Sequence, residues 1–314
     1  MAVARVIITG VGGFIGAHVA RRFLAEGFAV VGVDDLSSGS RANIPPGVDF
    51  IEADLAARTT LALLPRDCQA ILHLAGQSSG EISFDDPVAD LEKNTVSTLN
   101  LVRHGIDIRV PRLVYASSMS VYGSVPDAPV AETQPCAPLS CYGVGKFAAE
   151  NYLRVYARQL PYVAMRMFNV YGPGQDLSNL RQGMVSIYLA QALRDGRIEV
   201  KGSVERFRDC IFVDDVVEAW FRATTRDAAL GQTLNIGTGV RTSVRELLTR
   251  ICELVPGSVY EVRGGTPGDQ SGIYADNGAL RRTLGMDRFT TLADGLSTFV
   301  KWARSANRGA KVNT

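Results

Sequence analysis

The chain has no excess of charge of one sign. Its 314 residues carry 33 basic and 32 acidic side chains, a formal net charge of +1. That balance argues against a surface built to attract nucleic acid or an anionic membrane. No apolar run approaches the ~20 residues that span a bilayer. Met1 to Ile8 leads straight into a strand-like pattern, so no secretion signal is expected. Histidine is scarce. His18, His73 and His104 stand far apart, without metal-ligand spacing, so neither a metal nor a catalytic imidazole is expected. His73 reads as a satisfied buried histidine. The five cysteines (Cys68, Cys136, Cys141, Cys210, Cys252) form no C-x-x-C pair. They fit free thiols in a reducing cytoplasm, with Cys141 a small pocket-lining residue.

What is present is the 46% hydrophobic, 21% charged composition of a globular protein. Strand-like and helix-like patterns alternate through the first half. Strands are expected at Val3–Thr9, Ala29–Asp34, Val48–Glu52, Ala70–Leu74, Arg112–Ala116 and Tyr162–Phe168. Helices are expected at Gly13–Glu26, Pro87–His104 and Tyr142–Gln159. Near-continuous Val/Ile/Leu strands between helices predict a doubly wound α/β fold with a parallel sheet. After Asn169 the rhythm changes. The expected division is a Rossmann domain over residues 1–172, with a returning segment at 210–240, and a smaller α/β substrate domain over 173–209 and 241–314. The polar, basic end Ala306–Thr314 is expected to fray.

Thr9-Gly10-Val11-Gly12-Gly13-Phe14-Ile15-Gly16 follows the first strand and opens the first helix. Such glycines let the backbone approach a pyrophosphate at a helix N-terminus. The second strand ends in Asp34-Asp35. An acid there binds adenosine ribose hydroxyls and repels a 2′-phosphate, which favours NAD over NADP. Arg41 is the residue that could reverse that preference. Further on, Tyr142 precedes Lys146 by one helical turn, on the same face. An ammonium beside a phenol is expected to lower its pKa from about 10 and make it a usable base.

The G-x-x-G-x-x-G loop together with Y-x-x-x-K resembles the extended short-chain dehydrogenase/reductase family, and within it the nucleotide-sugar epimerases and dehydratases. The resemblance runs over nearly the whole chain. Asp34-Asp35-Leu36-Ser37-Ser38-Gly39 is similar to the family's D-N-L-S-x-G turn, and Asp54-Leu55 to its adenine contact. His73-Leu74-Ala75-Gly76 is similar to its H-x-A-[AG] strand end, and Asn94 to the Asn of its N-V-x-G-T helix. The implied cofactor residues are therefore Gly10, Gly13, Phe14, Ile15, Gly16, Asp34, Asp35, Leu36, Ser38, Gly39, Asp54, Leu55, Leu74, Ala75, Gly76, Asn94, Ser117, Tyr142 and Lys146. The loop Ala116–Gly123 resembles the active-site loop ending in V-Y-G and places the catalytic hydroxyl on Ser118.

The resemblance also implies a chemistry. Dehydratases carry Asp-Glu after that serine, and decarboxylases a Glu just before V-Y-G. Here Met119 and Ser120 stand there. The implied reaction is therefore the simpler cycle of the UDP-glucose/UDP-galactose 4-epimerase type. In it Tyr142 moves the C4 hydroxyl proton, Lys146 and the positive nicotinamide support the phenolate, and bound NAD oxidises and re-reduces C4. Ser118, Ser120, Asn169, Arg208 and Asp269 are the implied substrate residues. Thr266 stands where the family has a phosphate-binding arginine. Arg263 could serve instead, and Ile273 falls where the family controls room around the sugar's C2 substituent. A homodimer through helices Pro87–His104 and Tyr142–Gln159, carrying Phe147, Tyr152, Val155 and Tyr156, is also implied. The competing readings are a nucleotide-sugar reductase, an epimerase at another carbon, and a non-catalytic NAD-binding regulator.

Overall fold

A computed structural model describes residues 3–264 and 272–312. Seven parallel strands form the main sheet: β1 (Arg5–Thr9), β2 (Ala29–Asp34), β3 (Val48–Glu52), β4 (Ala70–His73), β5 (Leu113–Ser118), β6 (Tyr162–Met167) and β7 (Thr233–Ile236). Their spatial order is β7-β6-β5-β4-β1-β2-β3. Val, Ile and Leu dominate the inner strands because helices cover both faces, leaving no strand side for polar residues. One apolar cluster joins Val6, Ile8, Leu72, Val114 and Val163 to the C-terminal part of the chain. The other packs Ile7, Ile71, Leu113 and Tyr115 under the opposite helices.

The strand order reverses between β1 and β4, and in open sheets ligands bind at the carboxyl ends beside that point. Four helical segments reach it. The helix α1 (Phe14–Ala25) follows β1; α2 (Pro87–Leu91) and α3 (Ser97–Ile108) follow β4; α4 (Cys141–Val155) follows β5. Asp86 starts α2, its Oδ1 accepting from the Ala89 N–H at 2.9 Å, with Pro87 at the first helical position. Ser140 starts α4 in the same manner.

Several expected elements differ. The continuous helix Pro87–His104 is instead α2 and α3 joined by a π-helical turn, Glu92–Val96. Asn169–Tyr171, for which no strand was expected, is a strand pairing in parallel with Cys210–Phe212. A three-stranded patch of Thr242–Ser243, Phe207–Arg208 and Gly272–Ile273 was not foreseen, nor was the helix Leu292–Val312. That helix runs into the stretch expected to fray.

Candidate active site

The glycine loop is tight for a specific reason. Gly10 has φ +71°, and a Cβ there would lie 2.7 Å from the Ala75 nitrogen. A Cβ on Gly16 would run into the Gly10 carbonyl. The loop therefore brings the α1 N-terminus against the end of β4 with backbone alone. Helix α1 has no side-chain cap and no acid in its first turn. Its first N–H groups lack intrahelical partners and carry the positive end of the helix dipole. This bare end suits the pyrophosphate of a dinucleotide.

Asp34 closes the loop from the next strand. It accepts from the Gly12 N–H at 2.9 Å and from the Leu36 N–H at 2.8 Å. Burial pushes its carboxyl up, against those two hydrogen bonds. Gly39 lies against Gly12, and Leu36 takes a left-handed φ of 57° to let the turn close. Asp35 and Asp54 meet at Lys93, the latter at 3.1 Å. Asp35 is held below the ordinary range: burial pushes it up, but Lys93 and Ser37 together outweigh that. Leu55 is buried, and its carbonyl accepts from Asn100 Nδ2 at 2.9 Å. Arg41 pairs with Glu52 and lies 4.8 Å over the Phe50 ring.

At the end of β4, the Leu74 and Ala75 N–H groups both donate to Thr9 Oγ1. His73 is fully buried, with Nδ1 2.8 Å from Thr9 Oγ1 and Nε2 3.0 Å from Thr98 Oγ1. Burial, then the Lys146 charge, pull it down to about 3, so it stays neutral. Ser117 is buried, its hydroxyl donating to Glu150 on α4.

Ser118 ends β5, and Tyr142 and Lys146 lie one turn apart on α4. The Lys146 ammonium sits 5.7 Å from the Tyr142 ring centre and 5.1 Å from that of Tyr115. The expectation that Lys146 lowers the phenol's pKa needs correction. Burial pushes Tyr142 up to about 12, and the group that works against this is Ser118, through a hydrogen bond. Burial meanwhile pulls Lys146 down to about 8. Desolvation penalises both charged forms and exceeds what one neighbouring charge returns.

The far side of the cleft is built from short strands. Ser120 Oγ lies 3.2 Å from Ser118 Oγ. Asn169 donates to the Asp209 carbonyl at 3.3 Å and lies 3.6 Å from Met119 Sδ. Arg208 is buried, and burial pulls it down to about 10. Asp209 shapes this turn by accepting from Thr238, Gly239 and Ala275. Ile273 is fully buried among Val121, Tyr122, Val130 and Phe168. Arg263 lies on an exposed strand and pairs with Glu261 at 2.9 Å. Thr266 and Asp269 lie outside the described residues.

Sequence reasoning missed three groups. Asp90, one turn before Asn94, accepts from Asn94 Nδ2 and opposes the desolvation of Lys146. Glu150, one turn after Lys146, forms a buried pair with Arg166 at 2.7 Å. Lys93 joins two of the acids assigned to the cofactor. Helical spacing from the motif residues was the available signal for the first two.

Residues 6–237 match the family described as the NAD-dependent epimerase/dehydratase family. A UDP-glucose 4-epimerase of Mycolicibacterium smegmatis is 38% identical over 97% of this chain and 100% of the relative. A UDP-glucose 4-epimerase of Thermotoga maritima, solved with UDP-glucose, superposes with a TM-score of 0.92 at 30% identity, covering 96% of this chain and 99% of that one. The Thermus thermophilus UDP-glucose 4-epimerase, solved with NAD, gives 0.88 at 33% identity, with 96% and 99% covered. The family match extends from β1 through β7, taking in the glycine cradle, Asp34 and the tyrosine–lysine pair. The chain belongs to the NAD-dependent epimerase/dehydratase family, and its cofactor is NAD.

Proposed function

We propose that the protein interconverts the C4 epimers of a UDP-linked hexose, with Tyr142 handling the proton at the C4 oxygen. The observation that carries this is the meeting of Ser118, at the carboxyl end of β5, with Tyr142 and Lys146 on α4, and the presence of Met119 and Ser120 in place of acids. Without a carboxylate there, elimination or decarboxylation lacks its catalyst. The UDP-glucose named for the relatives supports a UDP-hexose.

NAD, when bound, supplies the hydride exchange at C4. The backbone of Gly10, Gly13, Phe14, Ile15 and Gly16 cradles its pyrophosphate. Asp34 and Asp35, with Leu36, Ser38 and Gly39, hold the adenosine ribose, while Asp54 and Leu55 line the adenine. Leu74, Ala75, Gly76, Asn94 and Ser117 border the inner half. Tyr142 Oη takes the C4 hydroxyl proton and returns it to the other epimer. The Ser118 hydroxyl holds the same sugar oxygen and stabilises the phenolate. Lys146 supplies positive charge beside the phenol. Ser120, Asn169, Arg208 and Asp269 hold the nucleotide sugar, with Arg208 on phosphate.

The test is incubation of the purified protein with UDP-glucose or UDP-galactose, with no added oxidant or reductant. The expected outcome is one equilibrium mixture reached from either side, followed by NMR at the anomeric and C4 protons. Net consumption of added NADH would identify a reductase. No turnover of either sugar or of UDP-N-acetylhexosamines, with NAD confirmed bound, would overturn the UDP-hexose reading.

The proposed division assigns residues 1–172 and 210–240 to the NAD domain and 173–209 and 241–314 to the sugar domain. The placement of β7 in the main sheet supports it. A reducing cytoplasm is supported by five unpaired cysteines. Among the described residues, no helix is long and apolar enough to cross a membrane.

A homodimer is part of the proposal. Phe84, Leu91, Leu139 and Val144 line one exposed apolar groove between α2 and α4. Contiguous apolar surface of this kind is covered by a partner. Of the residues expected there, Tyr152 is exposed, but Phe147 and Tyr156 pack inward. Sedimentation at micromolar concentration should give the dimer mass, and Val144→Asp the monomer mass. A monomeric wild type would refute the dimer.

A further inference from the structure

We propose that Asp90 is a positioning residue for Lys146: a buried carboxylate on the neighbouring helix that keeps the ammonium charged and turned toward Gly76. The inference rests on the role proposed for Lys146, not on the identity of the sugar.

Asp90, at the end of α2, is 2% exposed, and Lys146 is 4% exposed. One carboxylate oxygen, Oδ1, accepts from Gln77 Nε2 at 2.9 Å and from Asn94 Nδ2 at 3.1 Å. The other, Oδ2, is buried without a hydrogen-bond partner, and so is Asn94 Oδ1. A buried carboxylate oxygen without a donor is costly, and so is a buried ammonium without an acceptor. The backbone of Gly145 and the side chain of Asn94 lie between these deficits. A Cβ on Gly145, the residue before Lys146, would lie 3.5 Å from Asp90 Oδ2. A Cβ on Gly76 would lie 2.5 Å from Asn94 Oδ1 and 3.3 Å from Lys146 Nζ. Asn94 connects the two sites: its Nδ2 donates to Asp90 Oδ1, and its Oδ1 lies with the Lys146 ammonium at Gly76. The π-helical turn Glu92–Val96 carries Asn94 into that point.

The groups facing Lys146 can be named element by element. Tyr115 comes from β5, Tyr142 from α4 and Asn94 from the π-helical turn. His73 comes from β4 and is held neutral. Asp90, from α2, is the charge that opposes the desolvation of Lys146. The effect is mutual: burial pushes the Asp90 carboxyl up, and Lys146 is one of the groups that hold it down. The Asp90 charge also pushes the Tyr142 phenol up. Removing that charge must then move both titrations in the same direction, toward acid.

This gives a signature that a purely structural residue lacks. Activity needs a phenolate at Tyr142 and an ammonium at Lys146, which gives a bell-shaped profile belonging to the coupled pair. In Asp90→Asn both limbs should shift acidward by about one pH unit, the size expected for loss of one nearby charge. Asp90→Glu should restore the wild-type position. Gln77→Ala, which removes a hydrogen bond but keeps the charge, should leave the limbs in place.

A second measurement does not depend on turnover. The folded-state pKa of Lys146 is depressed below its unfolded value. Between the two values the unfolded chain binds the extra proton, so stability rises with pH across that window. Melting temperatures of the NAD-loaded protein from pH 6 to 10 should show this rise starting at lower pH in Asp90→Asn than in wild type. Unmoved limbs and an unmoved onset, or failure of Asp90→Glu to restore them, would overturn the proposal. If no sugar is turned over, the epimerase reading falls, and the melting curves still decide the role of Asp90.

Discussion

Tyr142→Phe should lower kcat for C4 epimerisation by about 10²–10⁴, the range for losing a positioned general acid–base group. Among the described residues, the phenol oxygen hydrogen-bonds with Ser118. Its ring packs at the Lys146 ammonium whether or not it carries the oxygen. The variant should therefore fold, keep its NAD and bind UDP-hexose with little change in KM. The measurement is kcat and KM by product NMR, with the NAD content of the purified variant as control. A Tyr142→Phe protein that keeps full activity would reject the base assigned here. The environment makes the expectation strict. Burial holds the phenol at about 12, so ionisation near neutrality needs positive charge brought to it. The Lys146 ammonium lies 5.7 Å from the ring centre, and the positive nicotinamide would add to it.

That last point marks where the sequence could and could not be read. Spacing placed Tyr142 and Lys146 on one helix face, and the structure has them there. The sign of the phenol's shift did not follow from spacing, because desolvation depends on what surrounds the turn. Tyr115 and the end of β4 come from other parts of the chain. The strand β2 falls on the expected residues because a parallel strand covered on both faces leaves an unbroken apolar run, and the edge strand β3 because Val48, Phe50 and Ile51 mark it between turn residues. The π-helical turn was not legible: Glu92–Val96 has an ordinary helical composition, and its extra residue answers to packing around buried Asn94. Two-residue strands such as Phe207–Arg208 and Thr242–Ser243 are too short for any period to register. Asp90 was visible as an acid one turn before Asn94. Its neighbour across the helix pair, Lys146, could be seen only once α2 and α4 were packed.

The largest stability effect should come from Glu150. Its carboxylate takes Arg166 in a two-pronged contact, Nε to Oε1 at 2.9 Å and Nη2 to Oε2 at 2.7 Å. Both side chains are 7% exposed. Arg166 also donates to the Glu132 carbonyl and lies 4.8 Å over the Tyr122 ring. Burial works against its charge, and Glu150 is the group that holds that charge in place. Glu150→Ala removes the partner and leaves a guanidinium buried without a counter-charge, so unfolding should become easier by about 3–5 kcal/mol. Denaturant titration followed by tryptophan fluorescence reads this directly. The effect should be lopsided. Glu150→Leu combined with Arg166→Met removes both charges at similar volume, and should recover most of the loss, because desolvating the pair cost about what their attraction returned. A Glu150→Ala protein within 1 kcal/mol of wild type would mean that water reaches Arg166 on this side. The pair also touches the chemistry at one remove. Glu150 accepts from the hydroxyl of Ser117, the residue before Ser118 on β5. In the double variant the fold should return while kcat stays below wild type, because the strand end that presents Ser118 loses its polar anchor.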